Sequence, residues 1–126
     1  MIGYVTIGAN DLPRQIAFYE LIAQELDTPR MMEWENGVAW ARPDGAAGIG
    51  VTKPFDGQPA TVGNGTMVAL QARDRAQVDR LYRIALDHGG SDEGAPGVRG
   101  PEGAGGFYAA YFRDPEGNKL NAFVMG

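Results

Sequence analysis

The chain predicts an α+β fold built from two βαβββ repeats. Three observations carry this. A β-branched strand leading into a capped amphipathic helix occurs twice, half a chain apart. Each helix is followed by short strand-like runs punctuated by Gly, Pro, Asn and Asp. The last two runs, 107–112 and 120–124, flank Asp114-Pro115-Glu116-Gly117-Asn118, whose residue types make a turn: Asp114 bonds its own backbone, Pro115 presets φ and Gly117 supplies φ > 0. Two such repeats imply paired, curved, mostly antiparallel sheets, with helices on the outer faces and a cleft between the inner ones. The 126 residues form one domain by length, with repeat one over about 2–55, a linker over about 56–65 and repeat two over 66–126.

Tyr4 to Ala9 alternates as a strand should, with Tyr4, Thr6 and Gly8 on one face and Val5, Ile7 and Ala9 on the other. Asn10-Asp11-Leu12-Pro13 is a helix start, a cap followed by Pro in the first turn. Leu12, Ile16, Tyr19, Ile22 and Leu26 then mark a buried helical stripe, which ends before Pro29. Met31–Trp34, Val38–Arg42 and Gly48–Thr52 are strands, separated by Asn36-Gly37 and Asp44-Gly45, both strong hairpin signals. Lys53 to Gly65 lacks periodicity and reads as a surface connection.

The pattern restarts with Thr66 to Gln71, which makes Thr66 the counterpart of Tyr4. Asp74 and Gln77 have capping-box spacing, Val78, Leu81, Tyr82, Ala85 and Leu86 form the stripe, and Gly89-Gly90 stops the helix. A weak strand near Val98-Arg99 and a glycine-rich loop precede the terminal hairpin.

Composition excludes several function classes. A formal charge of −5 argues against nucleic acid and anionic membrane surfaces as partners. No run of apolar residues is long enough to span a bilayer, and the first residues lack the basic-then-apolar order of a secretory leader. With no Cys there is neither a thiolate site nor a disulfide, which suits a cytoplasmic location. The single histidine, His88, rules out a two-histidine metal site within one chain and sits where a helix dipole favours a cation. Glu33 and Glu35 read as solvated edge charges rather than an acid/base pair, and Asp56 and Glu102 as loop acids. No P-loop, dinucleotide fingerprint or nucleophile elbow is present, and Gly100 to Gly106 is too irregular for a phosphate cradle.

Val5-Thr6-Ile7-Gly8-Ala9-Asn10-Asp11-Leu12 running into Ala17-Phe18-Tyr19, together with Arg113-Asp114-Pro115-Glu116-Gly117-Asn118-Lys119-Leu120, resembles the vicinal oxygen chelate superfamily: the glyoxalases, bleomycin-resistance proteins and extradiol dioxygenases. Gly63-Asn64-Gly65-Thr66 and Gly89-Gly90-Ser91-Asp92-Glu93-Gly94 extend the likeness over the whole chain. In metal-bearing members two His and two Glu face the cleft. The resemblance lays those four positions on Tyr4, Gly50, Thr66 and Asn121. A phenol, a bare backbone, a hydroxyl and an amide do not compensate the charge of a divalent ion. The resemblance therefore implies the fold and the cleft, without a metal or other cofactor.

Tyr4, Thr66 and Asn121 then form either a neutral hydrogen-bonding floor for a ligand or a decayed site whose groups satisfy each other. Trp34, Trp40, Tyr108, Tyr111 and Phe123 are candidate aromatic walls, though each is more readily a packing residue, and Arg99 is a candidate contact to an anionic group. The expected function is metal-independent binding of a small organic molecule by a homodimer. The alternatives are a lyase/isomerase or dioxygenase-type enzyme with a non-standard or absent metal site, Tyr4 serving as acid or base, and a subunit whose cleft is filled by its own side chains.

Overall fold

The computed structural model describes residues 1–100 and 106–126. Residues 101–105, with Glu102 and the middle of the expected glycine-rich loop, lie outside the described residues. The chain divides into two compact units, Met1–Val62 and Gly63–Gly126.

The first unit runs β1 (Tyr4–Gly8), α1 (Leu12–Glu25), β2 (Arg30–Trp34), β3 (Gly37–Trp40) and β4 (Gly48–Thr52), with strand order β1-β4-β3-β2. The second runs β5 (Val68–Gln71), α2 (Arg75–Asp87), β6 (Ser91–Val98), β7 (Tyr108–Arg113) and β8 (Lys119–Val124), with order β5-β8-β7-β6. Each unit is thus βαβββ. Its first strand pairs parallel with its last, and its other two pairings are antiparallel.

Both helices are capped by chemistry visible in the sequence. Asp11 accepts from Arg14 N at 3.2 Å, and Asp74 accepts from Gln77 N at 2.8 Å. The Gln77 amide reaches back to Arg73 N at 2.9 Å, one residue earlier than in the usual capping box. Both helices end in the same left-handed motif. Thr28 N bonds Ala23 O at 2.9 Å and Gly90 N bonds Ala85 O at 2.8 Å, with Asp27 (φ 51°) and Gly89 (φ 99°) in the corner. Helix α1 is therefore closed by its own turn before Pro29 acts.

The buried stripe of α1 is Gln15, Phe18, Tyr19, Ile22 and Ala23, one step round from the expected one, so Leu12, Ile16 and Leu26 are only half-buried. In α2 it is Gln77, Val78, Leu81 and Ala85, with Leu86 exposed. Tyr82 is half-buried and donates from its hydroxyl to Asp92 on β6 at 2.8 Å. That hydroxyl, helped by the Gly94 N–H, holds the Asp92 carboxyl below its usual range. A lowered folded-state value means that this tie persists at neutral pH and is lost as the pH falls through it.

Two strand boundaries move by two residues. β3 stops at Trp40 instead of Arg42, and β5 starts at Val68 instead of Thr66. β6 is an eight-residue edge strand where only a weak one was expected. Its Gly94, Pro96 and Gly97 obscure the alternation, and its register with β7 shifts twice to accommodate them.

Candidate functional site

The hairpin β7–β8 is set by Asp114, which is 2 % exposed. Asp114 Oδ1 accepts from Glu116 N at 2.9 Å and Asn118 N at 3.0 Å, and its Oδ2 accepts from Asn118 Nδ2 at 2.9 Å. Gly117, at φ 94°, makes the return. Tyr111 is thereby placed directly opposite Asn121, Ala109 opposite Phe123 and Arg113 opposite Lys119.

Alternation decides which face these residues take. The Tyr108 hydroxyl bonds Asp79 of α2 at 2.7 Å, so Tyr108, Ala110 and Phe112 face the helix. Tyr111, Asn121 and Phe123 face away from it. The Phe107 and Phe123 rings lie 5.6 Å apart at the end of this face. In the middle, the Arg99 guanidinium and the Lys119 ammonium sit 5.5 and 5.7 Å from the centre of the Tyr111 ring.

Arg99 is held there by backbone. Its Nη2 donates to Ala95 O at 2.7 Å. A Cβ on Gly97 would come within 2.9 Å of Nη1, and one on Gly94 within 3.2 Å of Nη2. The two glycines clear a track along β6 in which the guanidinium lies toward Tyr111. Asn121 is 2 % exposed, and among the described residues its Oδ1 has no hydrogen-bond partner. Leaving a buried acceptor unpaired costs about 1–3 kcal/mol. Around it Phe107, Tyr111, Phe123, Arg99 and Lys119 are all only half-buried.

Four of the expected site residues, Arg99, Tyr111, Asn121 and Phe123, are thus brought to one face of one sheet. Lys119 and Phe107 join them and were not foreseen. Lys119 lies two residues from Asn121, the spacing that shares a strand face, but it was read only as part of the turn.

In the first unit Tyr4 and Gly50 lie on the face turned away from α1, with Tyr4 70 % exposed. Trp40 does not join them. It faces α1, is fully buried, and donates from Nε1 to Glu20 Oε2 at 3.1 Å. Its placement as a ligand wall is corrected: with Val38 it belongs to the helix-facing set, and Glu20 supplies the acceptor that a buried indole needs.

Thr66 is corrected as the counterpart of Tyr4. It lies outside β5 in a turn, with its N bonded to Gly63 O at 3.1 Å. Tyr4 precedes the N-cap Asp11 by seven residues, and the residue seven before the N-cap Asp74 is Met67. The matching bonds Ala9 N to Thr52 O and Ala72 N to Phe123 O fix the same equivalence and pair Gly50 with Asn121. A one-residue slip in the sequence alignment put the wrong side chain on this face. The change does not improve the site for a metal. Neither a threonine hydroxyl nor a thioether balances a divalent ion beside a phenol, a glycine and an amide, so these positions do not fit the ion that the resemblance brings to mind. Among the described residues no group of three or more His, Asp or Glu is gathered closely enough to hold one.

A shallow pocket of about 260 Å³ lies in the first unit near the start of α1, lined by Ala9, Asn10, Lys53, Pro54, Gly57, Gln58 and Pro59. None of the expected site residues lines it. Among the described residues no helix is long and apolar enough to cross a membrane.

Residues 1–122 match the family model of the Glyoxalase/Bleomycin resistance protein/Dioxygenase superfamily. The chain belongs to that superfamily. A crystal structure of a glyoxalase/bleomycin resistance protein from Albidiferax ferrireducens T118 is 33% identical, with a TM-score of 0.87 over 98% of this chain and 97% of that one. A glyoxalase/bleomycin resistance protein/dioxygenase family enzyme from Burkholderia phytofirmans PsJN shares the fold at 18% identity, with a TM-score of 0.73 over 98% of both chains. Lactoylglutathione lyase from Agrobacterium tumefaciens shares it at 20% identity, with a TM-score of 0.66 over 98% of this chain and 92% of that one. No curated protein matches the chain. Within the superfamily, this member carries Tyr4, Gly50, Met67 and Asn121 where the resemblance brings imidazoles and carboxylates.

Proposed function

We propose that this superfamily member binds a small organic molecule, without a metal, on the face of β7 and β8 turned away from α2. The observation that carries this is Asn121: a buried amide oxygen with no partner among the described residues, on the strand face that also carries half-buried aromatic rings and two cations against Tyr111. Binding sites combine apolar walls with a few placed polar groups, and a ligand hydroxyl or amide N–H would satisfy this one. The test is a panel of charged and neutral small aromatics added to chelator-treated protein, read on the side-chain amide resonances of Asn121. The expected result is saturable movement of those resonances by at least one compound, lost in Asn121→Leu. Movement only after a divalent ion is added, or none from any compound, would overturn the reading.

The same proposal includes a second copy of the chain. β2 is an edge strand exposed along its whole length, with Met31, Met32 and Trp34 at 59, 57 and 41 % exposure. An exposed apolar edge is a pairing surface that monomers ordinarily blunt with charge. Sedimentation at micromolar concentration is expected to show a dimer, and the double substitution Met32→Glu, Trp34→Glu a monomer. A monomeric parent would sink this part.

A further inference from the structure

The ligand class follows from charge, and this step rests on the binding reading above. The chain carries a formal −5, yet the face around Tyr111 is locally positive. Arg99, Arg113 and Lys119 share it. Glu93, the acid paired there among the described residues, is taken by Arg113 Nε at 2.7 Å. Among the described residues neither Arg99 nor Lys119 has a carboxylate partner, and they lie 5.5 and 5.7 Å from the centre of the same ring. A cation laid along a glycine track and bonded to a carbonyl is already ordered, so little further entropy is lost when an anion arrives. Asn121, directly opposite Tyr111, adds an acceptor that an anion alone cannot satisfy.

We infer that this face takes a hydroxyl-bearing aromatic carboxylate: the carboxylate between Arg99 and Lys119, the hydroxyl donating to Asn121 Oδ1, and the ring against Phe107 and Phe123. Arginine forms two parallel bonds to a carboxylate and lysine adds a point charge, whereas a neutral amide in the same place gains neither. A cationic or purely apolar ligand would leave one or both groups opposed or unpaired.

The experiment titrates salicylate, p-hydroxybenzoate and p-coumarate, each beside its primary amide, by calorimetry and by the Asn121 side-chain resonances. At least one acid is expected to bind about tenfold or more tighter than its amide, the size of one charge-assisted hydrogen bond. Arg99→Met and Lys119→Met, which keep the stem and remove the charge, should each bring the acid's affinity down to about that of its amide, and a parent-like preference in both variants would overturn the placement of the carboxylate. Equal or tighter binding of the amides at Asn121 would overturn the anionic class and leave small-molecule binding standing. If neither acids nor amides move Asn121, the inference and the site beneath it fall together.

Discussion

Trp40→Ala is expected to destabilise the first unit by about 3–5 kcal/mol, the usual cost of emptying a large buried aromatic position. The ring is fully buried, 6.4 Å from Tyr19, which meets Phe18 edge-on at 5.0 Å. Its removal opens a void under α1 and also leaves Glu20 Oε2 without its indole donor. Glu20 is further engaged by Arg30 through its other oxygen, so α1, β2 and β3 all lose part of one joint. Trp40→Phe keeps most of the volume and isolates the hydrogen bond, for which about 1 kcal/mol is expected. Urea unfolding followed by far-ultraviolet circular dichroism separates the two. A loss under 1 kcal/mol for the alanine variant would show that the helix is not seated on this ring. Set against a total of about 5–15 kcal/mol for a domain of this size, the larger loss brings the fold close to its limit.

Asp114→Ala comes next, at about 2–4 kcal/mol. One buried side chain accepts three hydrogen bonds in the turn, two from backbone N–H groups that lose their partner when it goes. Further bonds, from Asp114 N to Asn118 O and from Gly117 N to Asp114 O, remain available to the variant and keep the loss below a complete opening of the hairpin. Asp114→Asn, which retains one acceptor, is expected to fall between parent and alanine. Calorimetric melting temperatures give the order, and hydrogen exchange at Glu116 and Asn118 gives the location. An alanine variant as stable as the parent would move the hairpin's determinant away from this carboxylate.

That turn was also the most legible part of the sequence, because Asp-Pro-Glu-Gly-Asn has few conformations open to it. The two capped helices and the repeat were readable for the same reason: caps and breakers act locally. What sequence could not supply was phase. Trp40 and Tyr111 both sit in short alternating strands, and only the position of Glu20 against one and Asp79 beside the other strand's Tyr108 settles which face each takes. Thr66 failed through a slip of one residue, invisible until Met67 is counted back from the cap. β6 was read only as a weak strand near Val98-Arg99, because strands rarely hold two glycines and a proline. Here the glycines make room for Arg99.

The pairing of first strand with last has a bearing on how the second half assembles. Among the described residues β5 pairs with one strand, β8, and nearly fifty residues separate them. As the polypeptide leaves the ribosome, β1 can dock on β4 long before β5 has anything to join. In the second unit β8 lies between β5 and β7, so β5 joins its sheet only once the last strand is in place. The strand that carries Asn121 is therefore the keystone of its sheet as well as part of the proposed ligand face, and non-local pairings of this kind are the slow ones to form.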